Sequence, residues 1–127
     1  MIDDDEHILE EAGRALTSAG HDVTATSRTV GMAKFLREVD VVVLDFHMPG
    51  LDGAEVVASL RAASATLGDA APHFYIYTTD LDAMRRAKEF GFDGVIKDKG
   101  NMQALVHQAG MAIRLRRLRG LVRSAAG

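Results

Sequence analysis

Val41-Val42-Val43-Leu44-Asp45-Phe46-His47-Met48-Pro49-Gly50-Leu51-Asp52-Gly53 is the stretch on which the fold turns. Four consecutive apolar residues, three of them β-branched, are too few for a helix and lack the alternation of a half-exposed strand. They predict a parallel strand buried on both faces. Asp45 ends that run, so its carboxylate must be solvated in a cleft or paired. The glycines at 50 and 53 mark a turn, after which Val56, Val57 and Leu60 recur at helical spacing.

Outward from this stretch the alternation continues. Ile8, Leu9, Ala12, Leu16 and Ala19 predict a helix over residues 6 to 19 that stops at Gly20. His21 to Thr26 reads as a short strand, and Met32, Phe35, Leu36 and Val39 as a second helix. Beyond an alanine-rich connection from about Ala62 to Pro72 come a strand at Phe74 to Thr78, a helix with Leu81, Met84 and Ala87 ending at Gly91, and a brief strand at Val95-Ile96. Asn101 is the expected N-cap of a last helix. Strands alternating with helices predict an α/β domain with a parallel sheet. Ligands then sit beyond the carboxyl ends of the strands.

The 127 residues, 47% hydrophobic and 26% charged, fit one domain able to bury its own core, and the absence of cysteine excludes disulfides and thiol catalysis. No apolar run approaches a membrane span, and the start has no signal-peptide pattern, so a cytoplasmic location is the default expectation. All 18 acidic residues lie at or before Asp98, while six of the 15 basic ones follow it. The first 98 residues thus carry a formal −9 and the rest +6. No recognition-helix, zinc-ligand or RNA-binding pattern accompanies the arginines, so nucleic acid is not an expected partner.

The strand ends gather Asp3, Asp4 and Asp5, then Asp45, then Thr78 and Thr79, then Lys97. Clustered carboxylates repel unless a cation neutralises them, and Mg²⁺ prefers oxygen ligands from carboxylates, carbonyls and water. Taken singly, each of these residues reads as a capping or solvated surface group. Together they form a kit for handling phosphoryl groups, with an aspartate as nucleophile.

The order of acidic pair, strand-end Asp45 in VVVLDFHMPGLDG, hydroxyl in FYIYTT and lysine in GFDGVIKD resembles the receiver domain of two-component response regulators over residues 1 to 110. That resemblance implies a flavodoxin-like, doubly wound five-stranded parallel sheet of order 2-1-3-4-5. It implies phosphorylation of Asp45 by a sensor histidine kinase or histidine phosphotransfer protein, with Mg²⁺ held by Asp3, Asp4, Asp45 and the backbone carbonyl of His47. Thr78 would be the switch hydroxyl and Lys97 the ammonium that pairs with the phosphate. A receiver is a regulatory phospho-acceptor, not an enzyme beyond its own phosphotransfer and dephosphorylation, and it signals to a downstream partner or output domain.

Some features depart from the family. Only Met1 and Ile2 precede the acidic pair, which truncates the first strand. Val95 stands where an aromatic residue is common, the stretch from Gly91 to Lys97 is one residue short, and Asp98 replaces a proline. A pseudo-receiver that works as an interaction module through its last helix is therefore the alternative expectation. A small hydrolase with Asp45 as nucleophile ranks below it, since His47 occupies the position where aspartate-based phosphatases carry a second aspartate. The whole chain, 1–127, reads as one receiver domain, with 111–127 as an extension of the last helix. In that helix Leu105, Val106, Ala109 and Ile113 face the core, while Met111, Leu115, Leu118 and Val122 form a second seam at coiled-coil spacing, which opens the option of a homodimer.

Overall fold

The apolar run at 41–45 forms strand β1 (Val41–Asp45), the first of three strands in a parallel sheet. A computed structural model describes residues 1–28 and 31–126, with side chains except at 32, 33 and 122–126. The expectations for the side chains of Met32, Val122 and Arg123, and for Gly127, fall outside the described residues. Helix α1 (Glu6–Ser18) precedes β1, and Asp5 caps it by accepting the backbone N–H groups of His7 and Ile8. A two-residue antiparallel ribbon follows β1, made of β2 (His47–Met48) and β3 (Leu51–Asp52). It turns at Gly50, whose φ of 74° is a conformation that side chains disfavour.

Helix α2 (Gly53–Ser64) and a 3₁₀ segment (Ala65–Ala70) lead to β4 (His73–Tyr77), which pairs with β1 so that Asp45 lies opposite Tyr77. Helices α3 (Leu81–Arg85) and α4 (Ala87–Phe90) precede β5 (Gly94–Ile96), whose Ile96 lies opposite Tyr77. The long α5 (Met102–Ala126) closes the chain. The carboxyl ends of β1, β4 and β5 therefore share one edge.

The sheet is buried on both faces, which explains the unbroken apolar run. Val42, Leu44, Phe74 and Ile76 pack on one side with Val57 and Leu60 of α2. Val43, Tyr75, Tyr77 and Ile96 pack on the other with Ala12 and Leu16 of α1 and Leu105 and Ala109 of α5.

The sheet departs from the five strands expected. Ile2 makes only isolated parallel bridges, to Thr26 on one side and Leu44 on the other. Its N–H donates to Val43 O at 2.7 Å, and its carbonyl accepts from Asp45 N at 2.8 Å. Ile2 alone bridges on that side, and of residues 21–26 only Thr26 is bridged. The second helix is a 3₁₀ segment (Met32–Glu38) that starts at Gly31 without a side-chain cap. The helix expected after Thr78 divides at Arg86 into α3 and α4, and ends at Gly91 as anticipated. The Asn101 cap forms, its side chain accepting the N–H of Ala104.

Candidate functional site

Asp45 ends β1 with 3% of its surface exposed, and Asp3, one residue past the Ile2 bridge, is 1% exposed. With the exposed Asp4 they offer three carboxylate oxygens within 4.8 Å of one another. The Lys99 ammonium, on a side chain 14% exposed, lies 3.0 Å from Asp3 Oδ2 and 3.0 Å from Asp45 Oδ1. The His47 N–H donates to Asp45 Oδ1 at 3.2 Å, and the Asp5 N–H to Asp3 Oδ1 at 2.9 Å. Asp3 Oδ2 meets no well-oriented hydrogen-bond donor, so its contact with Lys99 is an ion pair only.

Burial pushes the Asp45 carboxyl up to about 6. The bond from Lys99 opposes that rise and the charge of Asp3 adds to it. Burial also pulls the Lys99 ammonium down, but the close Asp45 and Asp3 carboxylates and their charges outweigh it and hold it above the ordinary lysine value. Thr78, buried at the end of β4, accepts the Asp80 N–H at 3.1 Å. The Asp80 carboxylate caps α3 through the N–H groups of Asp82 and Ala83, and it meets His47 Nε2 at 2.8 Å. Its pKa is lowered, first by the Ala83 bond and then by His47.

A family model described as the response regulator receiver domain matches residues 1–109. The chain belongs to the response regulator receiver family. Among curated relatives, this receiver is 26% identical over 107 residues to a cyclic di-GMP phosphodiesterase of Thermotoga maritima, covering 83% of the chain and 28% of the relative. It is 44% identical over 64 residues to the transcriptional regulatory protein AfsQ1 of Streptomyces coelicolor, covering 48% of the chain and 28% of the relative. The chain thus spans little more than a quarter of these proteins. A response regulator receiver domain from Clostridium thermocellum superposes with a TM-score of 0.72 at 26% identity, covering 92% of this chain and 94% of that one. The chemotaxis response regulator CheY4 of Vibrio cholerae superposes at 0.70 with 20% identity, covering 87% and 93%, and shares the fold. Among the described residues no helix is long and apolar enough to cross a membrane.

The receiver's lysine is where sequence and structure part. Lys97, the expected phosphate partner, is exposed, and its backbone is clamped to α5: its N–H donates to Gln108 Oε1 at 2.8 Å and its carbonyl accepts from Gln108 Nε2 at 2.9 Å. Asp98 then adopts a left-handed φ of 61° and Gly100 one of 98°, which turns the chain back so that Lys99 enters the acidic cluster. The Gly100 N–H donates to the Tyr77 hydroxyl at 3.1 Å, and Lys99 Nζ sits 5.3 Å from the centre of the Tyr77 ring. The one-residue shortfall between Gly91 and Lys97 was the available signal, since it points to a lysine further along the loop. Asp80 was also missed, because an N-cap two residues past a threonine carries no mark of its tie to His47.

Asp3, Asp4, Asp45 and Thr78 lie at the same strand edge, as expected. The His47 side chain faces outward to Asp80, and only its backbone N–H reaches Asp45. Of the three clustered carboxylates, Asp3 and Asp45 meet the Lys99 ammonium, and one buried carboxylate oxygen has no directed donor. That donor set fits a hard divalent cation such as Mg²⁺.

Proposed function

We propose that this receiver is a phospho-accepting switch in which Asp45 takes a phosphoryl group from the phosphohistidine of a sensor histidine kinase or a histidine phosphotransfer protein. The observation that carries the reading is the buried Asp45 carboxylate, held 3.0 Å from the Lys99 ammonium beside Asp3 and Asp4. An Asp45 carboxylate oxygen attacks phosphorus, the phosphorus–nitrogen bond breaks, and the imidazole leaves and recovers a proton, giving an acyl phosphate. The deprotonated carboxylate is the nucleophile, so acid pH opposes uptake, and the burial that raises the Asp45 pKa works in the same direction. Asp3, Asp4 and Asp45, with the His47 carbonyl that the family resemblance adds, would hold Mg²⁺, which would neutralise charge at the phosphoryl oxygens.

Lys99 takes the pairing role expected of Lys97, moving from carboxylate to phosphoryl oxygen. The Thr78 hydroxyl donates to the same group and passes the change to the face built from α3, α4, β5 and α5, where a downstream partner or output domain reads it. Thr26, Ile2, β1, β4 and β5, in that order across the sheet, stand for the family's 2-1-3-4-5 arrangement. Residues 1–127 form one receiver in this reading, with 111–127 extending the last helix, and the protein acts in the cytoplasm.

Intact-protein mass after incubation with acetyl phosphate tests the proposal. We expect a single phosphoryl adduct that disappears with EDTA and with Asp45→Asn. No adduct on protein shown to be folded overturns it in favour of a pseudo-receiver, the reading that the single-residue first strand favours.

A further inference from the structure

Helix α5 carries Met111, Leu115, Leu118 and Leu121 with 54%, 42%, 58% and 67% of their surfaces exposed. The opposite side of the helix is committed to the domain, where Leu105, Ala109 and Ala112 are buried. Arg116 and Arg117 fix its rotation, reaching Asp40 at 3.2 and 2.8 Å. The apolar row is therefore held outward. From Met111 to Leu121 it runs about 15 Å, at a rise of roughly 1.5 Å per residue.

The charge beside the row selects its occupant. On a helix of about 3.6 residues per turn, Arg114 and Arg119 fall on opposite sides of the seam. Both are exposed, and none of the ion pairs among the described residues involves Arg114. If a second copy packed seam to seam, arginine would face arginine whether the helices ran parallel or antiparallel: Arg114 against Arg119 in one case, each against itself in the other. The acidic body of a second copy is no better suited. Its other strongly exposed large apolar side chains, among the described residues, are Leu51 and Leu81, too few to cover four.

We infer that the outer face of α5 docks an amphipathic helix of a partner protein whose apolar stripe is flanked by glutamate or aspartate. The inference concerns a surface remote from Asp45 and does not depend on phosphotransfer.

Two synthetic helical peptides of roughly three heptads test it, both with leucine at the seam positions. One has glutamate at the flanking positions and the other lysine. Fluorescence anisotropy with the full chain at low salt should show the glutamate peptide binding about tenfold more tightly, a preference that shrinks as salt rises. Arg114→Glu with Arg119→Glu should reverse the order, and Leu115→Ser with Leu118→Ser should abolish binding of both while leaving the circular dichroism unchanged. Equal affinity for the two peptides, or no binding of either, overturns the inference. So does a dimer in sedimentation equilibrium that Leu115→Ser with Leu118→Ser dissolves, which would make a second copy the occupant.

Discussion

Replacing Lys99 by methionine keeps most of the unbranched side chain and removes the ammonium that sits 3.0 Å from both Asp3 and Asp45. The gross attraction at that distance is on the order of 5 kcal/mol per contact at an effective permittivity near 20, and desolvation of the buried charges offsets much of it. Deleting one partner of a buried ion cluster costs roughly 3–5 kcal/mol when the other charge cannot escape. Here it can. The Asp45 carboxyl already titrates at about 6, so taking up a proton at about pH 7.5 costs only ~2 kcal/mol.

Lys99→Met should thus lower stability by about 2 kcal/mol in EDTA near neutral pH. The sign of its pH dependence follows from Asp45. Lys99 lowers the Asp45 pKa, so the variant raises the folded value further above the unfolded one. An acid with a raised folded pKa favours the native state at low pH, and that advantage fades as pH rises through the folded value. The deficit should be small near pH 5.5 and grow through about pH 6 to 8. Lys97→Met, at an exposed side chain, should change stability by no more than about 0.5 kcal/mol. Urea unfolding followed by circular dichroism measures both. Phosphoryl uptake from acetyl phosphate should slow at least about tenfold in Lys99→Met and less than about twofold in Lys97→Met. A deficit that shrinks as pH rises, or uptake lost in Lys97→Met and kept in Lys99→Met, would refute this reasoning.

Calorimetric Mg²⁺ titration should show affinity weakening by up to about tenfold per pH unit below 6, because a protonated Asp45 is no ligand. Asp93 accepts the Phe74 N–H at 2.8 Å and pairs with Arg61 at 3.1 Å, so Asp93→Ala should cost ~1–3 kcal/mol in chemical denaturation, and Asp93→Asn less. A Cβ at Gly94 would lie 2.6 Å from Tyr75 Cε1, where the ring covers β5. Gly94→Ala should lower the thermal midpoint by the equivalent of ~1–3 kcal/mol, and trimming the ring with Tyr75→Leu should recover part of it.

Much of the fold was legible because buried parallel strands and capped helices leave local marks. Val41 to Leu44 announced a strand covered on both faces, Gly20 and Gly91 stopped helices, and Asn101 capped α5. The strand expected at 21–26 did not form beyond the bridge at Thr26. Whether an extended segment becomes a strand depends on its neighbour, and Met1-Ile2 supplies a single bridge. Asp3, Asp4, Asp45 and Thr78 could be read from their places after apolar runs. Lys99 could not, because its approach depends on the positive φ of Asp98 and on the Gln108 clamp, which joins residues eleven apart in sequence.

The Ile2 bridge also sets how the site breathes. Asp3 and Asp4 hang from a segment held by backbone bonds to Val43, Asp45, Thr24 and Thr26, by the buried Ile2 side chain and by the Asp3–Lys99 ion pair. Undocking of that segment would remove two of the three clustered carboxylates in one event and leave Asp45 with Lys99. Any ion that needs all three sees only the docked fraction of molecules, so its apparent dissociation constant is the intrinsic one divided by that fraction. Ion binding and N-terminal docking are therefore one equilibrium, and amide hydrogen exchange at Ile2 and Asp45 should slow together as the ion saturates.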